Sequence, residues 1–253
     1  ITQTPLNEQD LKTMSEAVEV LRQFKGFSYF TEMSDIINRL EDHVASARMK
    51  TTPVIDFEKN ESLKGLDYLD TIYHAIVNEH PIQLKYRSFK ARSANSFIFY
   101  PYLLKEYRNR WFVYGVRGNG RVLQNLALDR IQSLEVLPQE HYIKNTFFDP
   151  NTFFDDLVGV TKNSGSVAEK VGFKVAAAEA PYIITKPIHR SQQLVERLPD
   201  GSVILEIEVV INHELERVFF GYVDGIEILY PKTLVELMSR KLEKAAKQYT
   251  KSK

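Results

Sequence analysis

The spacing of apolar residues changes at Ile82, and this change divides the chain into parts that must fold differently. Ile82, Leu84 and Tyr86 alternate with polar residues, which is typical of a β-strand that buries one face. Before this point, apolar residues recur at helical spacing instead. The pattern therefore predicts an N-terminal helical part, followed by a β-rich part that begins at Ile82.

The first part predicts three amphipathic helices. Asn7 and Ser34 are the predicted N-caps of the first two helices, and the third ends near Asn78, before Pro81. The apolar positions are Leu11, Met14, Val18, Leu21 and Phe24, then Ile36, Ile37, Leu40 and Val44, and finally Leu63, Leu66, Leu69, Ile72 and Ile76. Three such helices cannot bury their apolar faces alone. We therefore expect them to pack on the rest of the chain or on a second copy in a homodimer.

The β-rich part contains four more short runs of β-forming residues. These runs span residues 97–102, 111–116, 122–128 and 131–137. Residues 118–120, Gly-Asn-Gly, supply the positive-φ positions of a hairpin turn. Five short antiparallel strands so close together favour a small closed barrel, because closure removes exposed strand edges.

The remainder of the chain predicts a linker and a second α/β domain. From residue 168 the elements run strand, helix, strand, strand, helix, strand and a last helix, with Asn212 as an N-cap. The order βαββαβ is ferredoxin-like. The predicted fold class is α+β. Its parts are a helical linker or dimerisation segment at 1–71, a small β-barrel at 72–140, a linker at 141–167 and a C-terminal ferredoxin-like domain at 168–253.

Composition excludes several classes of function. The chain has no cysteine, which excludes disulfides, thiolate catalysis and cysteine-bound zinc or iron–sulfur clusters. Its 33 Lys and Arg balance its 33 Asp and Glu, so net charge does not attract it to nucleic acid or membranes. No apolar run approaches the roughly 20 residues of a membrane span. We expect a cytoplasmic protein. The chain also starts without Met, which suggests a trimmed product with an upstream part.

Catalytic motifs are missing from the sequence. The six histidines are not paired at metal-ligand spacing, and neither a phosphate-binding glycine loop nor a nucleophile elbow occurs. The adjacent acids Asp155 and Asp156 lie in the predicted linker, where acids are usually solvated. We predict no enzymatic activity, no metal site and no cofactor.

Residues 100–115 and 126–131 combine aromatic and cationic side chains within a few predicted strands. Cations beside aromatic faces can hold an anionic or base-bearing ligand by charge-assisted hydrogen bonds and stacking. The alternative is that the apolar members belong to the core and the arginines lie in a solvated loop. The residues concerned are Trp111, Val113 and Leu128 for the core, and Arg108 and Arg110 for the loop.

The same residues carry a resemblance to a known family. Trp111–Val113 resembles the Trp-Tyr-Leu signature of the WYL family, and the strand Ile82–Tyr86, Pro101 and the segment Leu128–Ile131 occur in the family's order and spacing. The resemblance covers about residues 72–137. The preceding helices and residues 168–250 resemble the segments that flank this domain in WYL-type regulators.

The resemblance implies an Sm-like (SH3-type) barrel that senses a ligand in a dimeric bacterial transcriptional regulator. DNA binding would belong to an N-terminal winged helix-turn-helix that this chain lacks. The implied ligand is single-stranded nucleic acid or a small molecule. Asp129 would hold Arg130 in place. Tyr86, Tyr102, Trp111 and Arg130 match the family's pattern. The predicted ligand-binding residues are these four together with Arg87, Arg108, Arg110, Tyr114 and Asp129.

The chain also departs from the family pattern. Phe97 and Gln124 stand where many members have arginine, and Phe112 lacks the hydroxyl of the family tyrosine. Each lost phosphate contact would weaken nucleic-acid binding and its salt dependence. A local basic face, or a merely solubilising set of cations, remains at Lys85, Arg87, Lys90, Arg92, Arg108, Arg110, Arg117 and Arg121. An alternative function is a stand-alone nucleic-acid-binding Sm-like module without a switch.

Overall fold

The computed structural model describes residues 64–118, 120 and 122–250, which belong to two compact units. The first unit ends at Asn145 and the second begins at Thr146. The first two predicted helices, with their caps at Asn7 and Ser34, lie outside the described residues. The predicted four-part division, with its linker at 141–167, stays a prediction.

The described residues of the first unit contain one α-helix and five strands at the predicted positions. A short 3₁₀ turn at Leu66–Tyr68 leads into the helix, which ends at the predicted Asn78. The elements are α1 (Leu69–Val77), β1 (Ile82–Tyr86), β2 (Asn95–Tyr107), β3 (Arg110–Arg117), β4 (Leu123–Ala127) and β5 (Ile131–Val136). Leu69, Ile72 and Ala75 of α1 are buried in the core of this unit. The helical spacing of these residues therefore marks the face that packs.

The five strands form one antiparallel sheet in the order β4-β3-β2-β1-β5. Within the described residues β4 and β5 are the two edges and do not pair, so the predicted closed barrel is wrong. The reason is a second 3₁₀ turn, Leu128–Arg130, which joins Ala127 of β4 to Ile131 of β5 with a backbone that cannot continue a ladder. The two edges still come within about 15 Å at this corner, because four Cα–Cα steps of about 3.8 Å separate them.

The second unit has the predicted βαββαβ order followed by a terminal helix. Its elements are β6 (Glu169–Val175), α2 (Ala180–Thr185), β7 (Gln193–Arg197), β8 (Val203–Val209), α3 (His213–Phe220), β9 (Ile226–Tyr230) and α4 (Lys232–Thr250). The strands form an antiparallel sheet in the order β7-β8-β6-β9. Phe173 of β6 meets Phe219 of α3 edge-on at 5.2 Å between ring centroids. The two units together confirm the α+β class. None of the described helices is both long and apolar enough to cross a membrane.

Asn212 is the N-cap of α3, as its sequence position predicts. Its Oδ1 accepts a hydrogen bond of 2.9 Å from the backbone N–H of Leu215. Its buried Nδ2 donates to the carbonyl oxygens of Val158 at 3.0 Å and Thr161 at 2.9 Å. One side chain therefore caps the helix and also fixes the segment that precedes β6.

Replacing Asn212 with Asp is expected to lower the free energy of unfolding by about 3 kcal/mol. The Asn212→Asp variant keeps the cap acceptor, but it loses two donors and directs a carboxylate at two carbonyl oxygens. Urea denaturation measures the change. The control is Asn163→Asp, at an exposed turn position. Equal stability of the two variants would show that the amide donors of Asn212 contribute nothing.

His189 is a buried titratable group of the second unit. Its Nδ1 lies 2.7 Å from Ser191 Oγ. Burial lowers the pKa of the imidazole below its usual 6.5, and the positive charge of Arg190 lowers it further. The folded state therefore favours the neutral ring.

The stability of the second unit is expected to fall as the pH falls below about 6.5 toward the folded-state pKa of His189. In this window the unfolded chain binds more protons than the folded chain, so the free energy of unfolding rises with pH. Above about pH 6.5 the neutral His189 ring contributes its full stabilisation. Urea denaturation at stepped pH measures the slope. The slope is expected to decrease in His189→Gln and to persist in His141→Gln, which alters an exposed histidine. An unchanged slope in His189→Gln would refute the assignment.

Candidate functional site

Asp129 is the centre of a charged cluster in the 3₁₀ turn between β4 and β5. Its Oδ2 lies 3.3 Å from Nε of Arg110, and its Oδ1 lies 3.8 Å from Nε of Arg130. The Asp129 side chain is 15% exposed, against 46% for Arg110 and 27% for Arg130. Two guanidinium groups therefore share one carboxylate, and the three side chains carry a formal charge of +1.

The strand order brings these residues together. Phe112 pairs with Ala127, so the start of β3 lies beside the end of β4, where the turn begins. Arg110 is the first residue of β3 and thus reaches Asp129. The predicted role of Asp129 in holding Arg130 stays a prediction, and the 3.8 Å separation of the two groups exceeds hydrogen-bond distance.

Arg130 is also held by residues of β1 and the loop that follows it. Its guanidinium carbon lies 4.5 Å from the centroid of the Phe89 ring. The backbone N–H of Arg87 donates to the carbonyl oxygen of Arg130 at 3.1 Å, and the Tyr86 hydroxyl lies close enough to the Arg130 side chain for its charge to act on the phenol. We call Tyr86, Phe89, Arg110, Asp129 and Arg130 the Asp129 cluster. Phe89 is the member that sequence reasoning missed, since its signal was only one aromatic residue in a polar stretch.

The protonation of Tyr86 is set by its surroundings. Burial raises the pKa of the phenol, while the positive charge of Arg130 and hydrogen bonds with Ala127 and Arg130 act in the opposite direction. The net shift is upward, so the phenol stays neutral at physiological pH. Tyr86 therefore adds a polar group to the cluster without adding charge.

Two buried polar atoms of the cluster keep unused hydrogen-bonding capacity. Oδ1 of Asp129 and Nε of Arg130 have no hydrogen-bond partner among the residues that the structure describes. A buried polar group without a partner costs about 1–3 kcal/mol. These two atoms face each other at 3.8 Å, so the cost falls on the Asp129–Arg130 pair itself.

Besides Arg87, four residues of the predicted site lie outside the Asp129 cluster. They are Tyr102, Arg108, Trp111 and Tyr114. Trp111 is half-buried and packs against the core of the first unit, and Tyr114 is fully buried in β3. Tyr102 is buried at a bulge in β2, and burial raises the pKa of its phenol to about 12. Its ring meets Tyr142 edge-on at 6.1 Å. For Trp111 the structure therefore favours the alternative of core packing, and ligand binding by Tyr102 and Tyr114 stays a prediction.

Arg108 lies at the tip of the β2–β3 hairpin. It and Asn109 form a two-residue turn with φ angles of 50° and 61°, the backbone that a tight hairpin between twisted strands requires. The Arg108 guanidinium is 5.5 Å from the ring of Tyr107, and the side chain is exposed. A comparable pair lies at the far end of β3, where Arg117 stands 4.0 Å from the Phe97 ring. These arginines belong to the exposed surface.

The part of the chain that the structure describes contains no candidate metal site. There, no group of three or more histidine, aspartate or glutamate side chains is placed to hold a metal ion. The arrangement of the Asp129 cluster instead suits recognition of an anion.

Comparison with protein families identifies both parts of the chain. Residues 67–136 match the WYL domain, and residues 168–246 match the WCX domain. Together the two regions cover more than half of the chain. The first match contains every member of the Asp129 cluster. The resemblance drawn from the sequence is thereby confirmed.

The solved structures that the chain matches include the proteasome accessory factor B/C (PafBC) of Arthrobacter aurescens and a CRISPR Cas-related protein. The first is 15% identical with a TM-score of 0.35, and the match covers 92% of this chain and 34% of that chain. The second is 10% identical with a TM-score of 0.46, and the match covers 99% of this chain and 88% of that chain. The chain thus spans about a third of the length of PafBC. Such distant likenesses carry no argument about function. No curated protein sequence matches the chain.

Proposed function

Because the chain belongs to the family of regulators that join a WYL domain to a WCX domain, we propose that it senses a ligand through the Asp129 cluster. The ligand carries a phosphate or carboxylate group, and single-stranded nucleic acid is the candidate we favour over a small molecule. Binding regulates transcription through a DNA-binding module of the full protein. The chain acts as a sensor and not as an enzyme.

The observation that carries the proposal is the surplus of cations around Asp129. A guanidinium group binds phosphate or carboxylate through two parallel N–H donors, which gives geometry as well as charge. Arg110 and Arg130 share a single carboxylate, so the cluster gains an anion at little electrostatic cost. Exposed Arg87 and Lys90 lie in the loop that also carries Phe89. They add local positive potential although the whole chain is neutral.

Regulation requires that the ligand binds one state of the protein better than another. We propose that the two states differ in how a homodimer presents its DNA-binding modules. Light scattering of the chain with and without ligand tests this part. A strictly monomeric full-length protein would exclude the dimer mechanism and leave the ligand site unaffected.

Fluorescence anisotropy with a labelled single strand of about 12 nucleotides tests ligand binding. The expected result is saturable binding that weakens between about 50 and about 200 mM salt. Competition by an unlabelled mononucleotide at similar concentration would point to a small-molecule effector. The absence of binding at low salt for both the strand and the mononucleotide would contradict the proposal.

A further inference from the structure

Phe89 is among the most exposed aromatic residues in the described part of the chain, with 73% of its surface accessible. An exposed phenyl ring gains nothing from the core, yet this ring lies 4.5 Å from the Arg130 guanidinium carbon. A cation is attracted to the face of an aromatic ring at this distance. The contact therefore gives the ring a specific position in an otherwise solvated loop.

The loop that carries Phe89 contacts Arg130 at two points. A turn closed by the 3.0 Å hydrogen bond from the N–H of Ala91 to the carbonyl of Ser88 presents the ring. At the base of the loop, the N–H of Arg87 donates to the carbonyl oxygen of Arg130. Backbone and side chain of Arg130 are thus both engaged by the same short loop. A change in the orientation of the guanidinium would break its contact with Phe89.

We infer that Phe89 is a positioning residue, which covers one face of the Arg130 guanidinium and fixes the direction in which its terminal Nη groups donate to the ligand. This inference rests on the proposed function of the Asp129 cluster. Phe89 occupies one face of the guanidinium, and a ligand ring cannot stack there at the same time. Nε is buried and lies 3.8 Å from Asp129 Oδ1, so the two terminal nitrogens are the donors that remain for a ligand. Arg130 therefore selects a forked oxyanion, a phosphate or a carboxylate.

The test uses two substitutions that grade the attraction between ring and cation. Phe89→Leu keeps an apolar side chain without a π-face, and Phe89→Trp provides a stronger one. We expect Phe89→Leu to bind the labelled single strand about threefold more weakly, and Phe89→Trp to bind it at least as well as the unchanged protein. The control is Tyr249→Leu, at an 86% exposed aromatic residue of α4. The free energy of unfolding of each variant should equal that of the unchanged protein within error, which would show that the fold is kept.

A second measurement, made without ligand, separates this inference from the proposed function. The NMR signal of the Arg130 Nε–H group senses the ring current of Phe89, so it should move in Phe89→Leu and stay unchanged in Tyr249→Leu. An unmoved signal would overturn the positioning role whatever the chain binds. A moved signal with unchanged affinity would overturn the link to binding. Unchanged affinity in Arg130→Ala would instead refute the proposed function, and the ligand-free signal alone would then decide whether Phe89 orients Arg130.

Discussion

Replacing Gly115 with alanine is expected to lower the free energy of unfolding of the first unit by about 3 kcal/mol or more. A Cβ atom at this position would lie 2.1 Å from the carbonyl oxygen of Tyr100 and 2.6 Å from the ring of Phe99. Phe99 is fully buried, and Gly115 pairs with Pro101 in the middle of the sheet. Neither neighbour is the free end of a flexible side chain. Accommodation therefore requires β2 and β3 to separate, and urea denaturation measures the loss.

The matched control is Gly118→Ala, at the residue that directly follows β3. A Cβ atom there would meet nothing within 4 Å, so only the positive φ of 53° opposes the substitution. The expected cost is about 1 kcal/mol. If the two alanine variants were equally stable, the close approach at Gly115 would not be a constraint on the sheet.

Replacing Arg130 with alanine is expected to weaken binding of the labelled single strand at least about tenfold. The substitution removes the guanidinium that Tyr86, Phe89 and Asp129 surround, and it lowers the formal charge of the cluster from +1 to zero. Arg130→Lys should recover only part of the affinity, because an ammonium group has no fork of donors. The slope of log affinity against log salt should fall by about one for each lost phosphate contact.

The control for Arg130→Ala is Arg240→Ala, which removes an exposed arginine of α4 and the same formal charge. Anisotropy titrations of the two variants beside the unchanged protein measure the difference. Equal affinities of the two variants would mean that only net charge matters. The Asp129 cluster would then have no special role in binding.

Local patterns predicted much of the fold. The alternation at Ile82, Leu84 and Tyr86 identified β1, because a strand with one buried face leaves that pattern in the sequence. Asn212 was identified as a cap because capping involves neighbours only three residues away. The predicted barrel closure was wrong because β4 and β5, although consecutive in the chain, do not pair. The turn Leu128–Arg130 decides it, and no local pattern distinguishes a 3₁₀ corner from a continuing strand.

The candidate site was predicted only in part, because local patterns do not determine contacts between residues far apart in the chain. Asp129 and Arg130 are neighbours in sequence, Tyr86 and Arg130 match the family pattern, and Arg110 lies in the aromatic and cationic stretch. The bulge between Pro101 and Leu103 shifts the alternation along β2, so the face that Tyr102 occupies did not follow from its position. Phe89 was missed because its ring is directed by a turn and by a cation about 40 residues later in the chain.

The most direct test of ligand sensing through the Asp129 cluster is NMR observation of arginine Nε–H groups during titration with the single strand. The account predicts that the signals of Arg130 and Arg110 move together, with a midpoint that equals the dissociation constant from anisotropy, while the signal of Arg240 stays in place. Saturable binding by anisotropy with unmoved Arg130 and Arg110 signals would contradict the account and place the ligand elsewhere on the chain.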